Sequence, residues 1–294
     1  MKIAVFGQHY QSNTVEIFNK VISVLENNNA IIIIADSFWN VLKENHTFKK
    51  EYETFKNHFD LDANFDFLIS IGGDGTILRA ATLVRDKNIP IVGVNAGRLG
   101  FLADVQAENI ERFLPKLFSN DFKISQRTLL SLQCSPPNKE LEDINFALNE
   151  ITIARKDTTS MITIDTYLND EYLNSYWADG LIIATPTGST GYSLSCGGPL
   201  LTPANESFVI TPIAPHNLTA RPLVIPNDTE IKISVSSREE QYLVSLDART
   251  MSVSKEISLF IKKAPFEINM VEFFEEGFLK TIRKKLLWGE DKRN

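Results

Sequence analysis

The sequence is poor in the features that would tie a protein to the cell exterior or to nucleic acid. Only two cysteines occur in 294 residues, Cys134 and Cys196, far apart and in no C-x-x-C pair. Neither a disulfide framework nor a zinc site is expected, and two free thiols suit a reducing cytoplasm. The four histidines, His9, His46, His58 and His216, stand at no metal-ligand spacing with a cysteine or with each other, so no metal ligands are assigned to the chain. Positive charge is short as well. Thirty Lys and Arg against 37 Asp and Glu leave a net charge of −7, which gives no global attraction for nucleic acid or an anionic membrane. No apolar run approaches the ~20 residues that cross a bilayer. The apolar stretch near the N-terminus is too short for a signal-peptide core. A Gly-x-Ser-x-Gly elbow is missing, which excludes a serine hydrolase of that type. Repeats and low-complexity segments are missing too. The expectation is a soluble cytoplasmic protein with no nucleic-acid or membrane partner.

What is present is an ordinary globular mixture, with 43% hydrophobic, 10% aromatic and 23% charged residues, enough to bury a substantial core. The length suits two domains or one large α/β unit. Residues 3–6, 31–34, 67–71 and 89–94 are apolar and rich in β-branched side chains, as expected of parallel strands covered on both faces. Helix-period segments lie between them, at 14–26 and after Thr76, with another near 109–118. Residues 39–62 show no clean period and read as a poorly defined helical or loop insert. From residue 122 the pattern shifts to short alternating strands, for example 161–167, followed by Asn169-Asp170 as a hairpin turn, and 230–235. The spacing from 271 to 288 turns helical again and ends in Arg283-Lys284-Lys285, which reads as a solvated helix C-terminus. The domain expectation is therefore an α/β domain with a parallel sheet over 1–121 and a β-rich domain over 122–270.

Two motifs carry chemistry. Ile71-Gly72-Gly73-Asp74-Gly75-Thr76 lies between a strand and a helix, where glycines let backbone N–H groups turn inward and the helix N-terminus adds partial positive charge. Phosphate is the natural guest. A carboxylate beside such a nest suggests another job, accepting a proton from an attacking hydroxyl or helping to hold a metal; the plain alternative is a tight turn with Asp74 capping the helix. Farther on, the apolar run 181–184 opens into Thr185-Pro186-Thr187-Gly188-Ser189-Thr190-Gly191-Tyr192-Ser193-Leu194-Ser195. Its small hydroxyls suit phosphate and ribose oxygens, and Tyr192 offers a face to a base. Asn149-Glu150 interrupts an alternating run and reads as a strand edge or as two groups aimed at a ligand. Residues 95–102 follow a parallel strand at the end where open α/β sheets bind ligands, or form a plain connector.

Taken in order, Gly72 to Thr76, Asn149-Glu150 and Asp179 to Ser195 resemble the three motifs of the NAD kinase family, and residues 210–222 look like that family too. The resemblance covers about Asp66 to Asp247. It implies a two-domain fold in which residues 271–294 pack back on the first domain. The implied reaction transfers the γ-phosphoryl group of ATP to the 2′-hydroxyl of the adenosine ribose of NAD, with Mg²⁺ or another divalent cation. Asp74 would be the general base, Gly72, Gly73, Gly75 and Thr76 would hold phosphate, and Arg79 would neutralise it. Asn149 and Glu150 would contact the dinucleotide. Asp179 would reach the nicotinamide end, Thr187, Thr190, Gly191, Tyr192, Ser193, Leu194 and Ser195 the adenosine side, and Ala214 would approach the ligand through its backbone, with Asp247 a further candidate. A homodimer or homotetramer is implied. The chain departs from the pattern at Gly191, more often alanine, at Trp177, basic in some members, and at Asp247-Ala248-Arg249, where Asp-Gly-Gln is frequent. A lipid kinase sharing the glycine loop, or a dinucleotide sensor without chemistry, are the alternatives.

Overall fold

Short β-branched runs and helix-period segments alternate through the first hundred residues, and the computed structural model, which describes residues 1–8, 12–97, 100–103, 105–157, 160–275 and 277–288, shows them as β-α-β units. The chain divides into two compact units, residues 1–126 with 268–294 and residues 127–267.

The first unit contains β1 (Lys2–Gly7), α1 (Thr14–Asn27), β2 (Ile31–Ala35), α2 (Asp36–Asn45), β3 (Glu53–Phe55), β4 (Phe67–Gly72), α3 (Asp74–Val84), β5 (Ile91–Asn95) and β6 (Val105–Gln106). The strands pair in parallel in the order β3-β2-β1-β4-β5-β6. α1 buries Ile17, Phe18, Val21, Ile22 and Leu25 and stops where Asn29 takes a left-handed conformation, φ 55°. The stretch near 109–118 is one α-helical turn, α4 (Ile110–Phe113), tightened by 3₁₀ turns on both sides. From β1 the chain steps to β2 on one side, while β4 pairs on the other side of β1. The carboxyl ends of β1 and β4, at Gly7 and Gly72, therefore border the topological switch point, where open α/β sheets receive ligands.

Two expectations in this unit need correction. Residues 39–62, expected as a poorly defined helical or loop insert, are helical through Asn45 and better defined than expected: α2 buries Phe38, Trp39 and Leu42, Trp39 packs against Phe48 and Tyr52, and β3 pairs with β2. Three buried positions on a ten-residue helix are too few to show a period. The tail is not helical from 271, because the last strand of the fold runs through Glu272, with Met270 pairing with Ile91, and the helix starts only at Phe278. Val271 and Phe273 are buried.

The remaining elements are β7 (Lys123–Ser135), α5 (Lys139–Glu142), β8 (Phe146–Ala147), β9 (Glu150–Ala154), β10 (Ile162–Leu168), β11 (Glu171–Ala178), β12 (Gly180–Ala184), α6 (Tyr192–Ser195), β13 (Ser207–Ile213), β14 (Leu223–Pro226), β15 (Ile231–Ser236), β16 (Gln241–Leu246), β17 (Arg249–Ser254), β18 (Ser258–Glu272) and α7 (Phe278–Leu286). In the second unit an antiparallel sheet runs β14-β13-β12-β9-β16-β17. Its inward residues, Ile151, Ile153, Leu181, Ile183, Ile210 and Val244 among them, share one core with Ile162, Ile164, Ile231, Ile233 and Ile261 of β10, β15 and β18. Each such aliphatic side chain contributes roughly 1.5–3 kcal/mol when fully buried. Asn169 and Asp170 both adopt positive φ in the β10–β11 turn, the geometry of a tight hairpin. β12 is buried along its whole length, because the outer face, Ile182 and Ala184, is covered by Cys196, Leu201 and Ile213. That cover positions the hydroxyl-rich loop directly over the carboxyl end of β12.

Candidate active site

In the first unit, α3 begins at Asp74 with Gly73 as its N-cap, and the amides of Thr76 and Ile77 donate to the Gly73 carbonyl at 3.0 and 3.3 Å. The first amides of a helix have no intrahelical acceptor, and the macrodipole makes this end attractive to an anion. The three glycines serve different ends. A Cβ on Gly72 would meet Thr76 Oγ1 at 2.2 Å, so glycine is required there for packing. Gly73 and Gly75 face open space, with no atom within 4 Å of where a Cβ would stand. Nothing in the chain's own packing crowds these two positions, which leaves backbone accessible to a ligand.

Asp74 is held rather than loose. Its Oδ2 accepts from the Phe101 amide at 2.8 Å and its Oδ1 from the Leu102 amide at 3.0 Å. A carboxylate offers about four acceptor sites, so both oxygens keep capacity for a substrate hydroxyl. Gly100 lies so close that a Cβ there would stand 1.8 Å from Asp74 Oδ1. The 95–102 segment is therefore more than a connector; Arg98 and Leu99 within it lie outside the described residues. Thr76 is buried with its hydroxyl against Gly72, and Arg79 is exposed one turn along α3.

In the second unit the loop after β12 folds on its own hydroxyls. Thr185 donates to the Leu148 carbonyl at 2.6 Å and accepts from the Gly188 amide at 3.1 Å. Ser189 donates to the Pro186 carbonyl, Thr190 to the Thr187 carbonyl, and Ser193 pairs with Thr211 at 2.8 Å. The density of small hydroxyls is thus in large part a folding device, and the reading of the loop as a row of ligand donors holds for fewer of them than its composition suggests. What the loop leaves over is specific. Thr187 Oγ1, Asn149 Oδ1 and Glu150 Oε2 are buried and have no partner among the described residues. Buried polar atoms are ordinarily paired, so unpaired ones converging beside one loop indicate a ligand that supplies the missing bonds. A Cβ on Gly188 would strike the Asn149 carbonyl at 2.0 Å, and one on Gly191 would meet Glu150 Oε2 at 2.9 Å and Asn149 Nδ2 at 3.5 Å. Loop and pair are in direct contact. Tyr192 is about half exposed, Ser195 exposed, and Leu194 partly buried.

Burial pushes the Glu150 carboxyl up to about 8, helped by the neighbouring Asp247 charge and opposed by a hydrogen bond from the Tyr192 amide. Asp247 is itself buried, its side chain 5% exposed. Burial raises its carboxyl against the pull of the Leu148, Asn149 and Glu150 amides and of Arg249. On the other side of β12, Asp179 pairs with Arg155 at 3.1 Å, and its amide donates to Ile213, next to Ala214. Ala214 adopts positive φ, 42°, a conformation that is uncommon for a residue with a Cβ. Among the described residues no three His, Cys, Asp or Glu groups come together to hold a metal ion.

Residues 3–122 match the family model of the ATP-NAD kinase N-terminal domain and residues 148–273 that of the ATP-NAD kinase C-terminal domain. The chain belongs to the ATP-NAD kinase family. It is 64% identical to the NAD kinase of Flavobacterium psychrophilum and 60% identical to that of Flavobacterium johnsoniae, in each case over 294 residues and the whole of both chains. The crystal structure of yeast NADH kinase complexed with NADH superposes with a TM-score of 0.85 at 24% identity, covering 99% of this chain and 89% of that one, which shows a shared fold.

Where this chain departs from the pattern of ATP-NAD kinases, the geometry gives reasons for two positions. Gly191 leaves room for the Glu150 carboxyl. Trp177 packs against His216 at a tilt, with ring centroids 4.4 Å apart, and its amide donates to Asn217 Oδ1 at 2.8 Å, tying the 210–222 stretch to the end of β11. Sequence reasoning missed the role of Gly100, Phe101 and Leu102. Their signal was a glycine-containing segment directly after a parallel strand, at the ligand end of the sheet.

Proposed function

We propose that this chain is an NAD kinase, a phosphotransferase that moves the γ-phosphoryl group of ATP to the 2′-hydroxyl of the adenosine ribose of NAD and releases NADP and ADP. The observation that carries the reading is Asp74, a carboxylate fixed by two amides at a helix N-terminus between two glycines that face open space. As the 2′-oxygen bonds to the γ-phosphorus, its proton passes to Asp74, and the bond between the γ-phosphorus and the β,γ-bridging oxygen breaks with ADP as leaving group. The amides of Gly73 and Gly75 hold phosphate oxygens, Gly72 and Thr76 shape the turn that presents them, and Arg79 adds positive charge.

Asn149, Glu150 and Thr187 bind the dinucleotide through the polar atoms that lack partners among the described residues. Thr190, Gly191, Tyr192, Ser193, Leu194 and Ser195 line its adenosine side, with the exposed Tyr192 ring available for stacking. Asp179 and the Ala214 backbone serve the nicotinamide end. Mg²⁺ or another divalent ion bound with ATP would neutralise charge on its phosphates, since Mg²⁺ usually keeps waters and substrate phosphates as ligands. Among the described residues no helix is long and apolar enough to cross a membrane. The same reading has a cytoplasmic homodimer or homotetramer, which analytical ultracentrifugation of the purified protein tests for its assembly.

The test of function is NADP formation from NAD, ATP and Mg²⁺, read through an NADP-specific dehydrogenase, with Asp74→Asn alongside. Turnover is expected in the wild type and a loss of roughly 10²–10⁴ in the variant, with NAD binding held within a few-fold. Loss of binding together with activity would make Asp74 a binding or capping group. Dinucleotide binding by the wild type without turnover would make the protein a sensor.

A further inference from the structure

The β16–β17 turn holds both polarities of one stretch of backbone. Asp247 Oδ2 accepts from the Leu148 amide at 3.0 Å, and its Oδ1 from the Asn149 and Glu150 amides at 2.7 and 3.2 Å. The Asp247 amide returns a bond to the Glu150 carbonyl at 3.0 Å, with Asp247 itself at φ 53°. Arg249, the residue that departs from the family's frequent glutamine, donates to the Ile144 carbonyl at 2.8 Å and to the Phe146 carbonyl. Its guanidinium lies over the Phe146 ring, 5.7 Å from the centroid, and 3.9 Å from Asp247 Oδ2.

These contacts bracket residues 144–150, whose last two members carry the buried atoms without partners, Asn149 Oδ1 and Glu150 Oε2. The Asp247 side chain is nearly fully buried, and its oxygens accept from these amides and face Arg249. We propose that Asp247 and Arg249 are positioning residues for dinucleotide binding: the arginine fixes the carbonyls before the pair and the aspartate the amides within it, so that Asn149 and Glu150 stand preorganised for the ligand. This rests on the reading of Asn149 and Glu150 as dinucleotide contacts. Arg249 has a part here that a glutamine cannot duplicate, because one planar fork reaches two carbonyls while carrying the charge that faces Asp247.

The experiment compares wild type, Arg249→Met, Arg249→Lys, Asn149→Ala and Glu150→Ala in kcat, KM for NAD, KM for ATP, NAD affinity by calorimetry and Tm. Arg249→Met is expected to raise KM and Kd for NAD about tenfold while KM for ATP stays within twofold, because loss of fixed geometry weakens the bonds the pair makes. Arg249→Lys, which keeps the charge and one donor group, is expected to recover part of that loss. A lowered Tm with NAD affinity unchanged in Arg249→Met would overturn the proposal and leave the turn a plain stabilising contact. A parallel rise in KM for both substrates would also overturn it. Unchanged NAD affinity in Asn149→Ala and Glu150→Ala would instead remove the underlying reading of the pair. Calorimetry keeps the two separable even without turnover.

Discussion

Both units fix a carboxylate with backbone amides, and the two carboxylates end in opposite circumstances. Asp74 accepts from Phe101 and Leu102 at the mouth of a helix, beside glycines that face open space. Asp247 accepts from Leu148, Asn149 and Glu150 in the interior of the second unit, with Arg249 beside it. The same bonds therefore do different work. Where acceptor capacity and access remain, the carboxylate is available as a reagent; where three amides and burial take up its oxygens, it acts on its neighbours' geometry. Counting hydrogen bonds to a carboxylate does not separate the two cases, and burial does.

Exchanging each carboxylate's circumstances breaks the comparison most sharply at Asp247. Asp247→Ala leaves three interior amides without their acceptor and removes the charge facing the Arg249 guanidinium, and a loss of about 3 kcal/mol in unfolding free energy is expected from urea denaturation. Asp74→Ala, at a part-exposed helix start, is expected to cost less than half of that. Equal losses would mean that Asp74 is as structural as Asp247.

A smaller effect is expected from Gly100→Ala. The new methyl would stand 1.8 Å from Asp74 Oδ1, so the carboxylate must leave the Phe101 and Leu102 amides or the loop must shift. Turnover is expected to fall by about 10²-fold, as for a group displaced by about an ångström, with Tm reduced less than in Asp247→Ala. Retained turnover would show that the amide pair does not set the position that matters.

Much of this was legible in the sequence, for reasons that can be named. β-branched runs covered on both faces announce parallel strands whatever packs on them, and the Asn169-Asp170 turn announces itself because few residues accept positive φ. Glycines around Asp74 mark a turn into a helix. The rest is hidden by backbone chemistry. Phe101 and Leu102 hold Asp74 through amides that any residue but proline could supply, and the carbonyls of Ile144 and Phe146 bind Arg249 with no trace in side-chain type. The hydroxyl-rich loop is legible only in part, since the hydroxyls of Thr185, Ser189 and Ser193 suit ligand oxygens by type and each also bonds within the chain. α2 and β3 were legible only as a poorly defined helical or loop insert because a short helix starting directly from a strand leaves too few buried positions for a period.

The smallest effect belongs to Glu150, the neighbour that shares Asp247's interior. Burial raises its carboxyl to about 8, so the folded chain keeps this proton at pH values where the unfolded chain has lost it. Between about pH 4.5 and 8 the folded state then binds more protons than the unfolded state, and stability falls as pH rises through that window, with the slope vanishing above it. This is the reverse of a carboxylate stabilised by ion pairing. Asp247 is raised in the same direction, and the Arg249 charge faces it, so the wild-type curve contains both groups. Glu150→Gln keeps the shape and removes one titration. Urea midpoints from pH 5 to 9 are expected to fall more steeply with pH in the wild type than in the variant, by at most one proton's worth of slope, and KM for NAD is expected to change near pH 8 in the wild type alone. Parallel curves would mean that Glu150 is ionised in the folded protein, and that Asp247 holds the segment without setting its neighbour's charge.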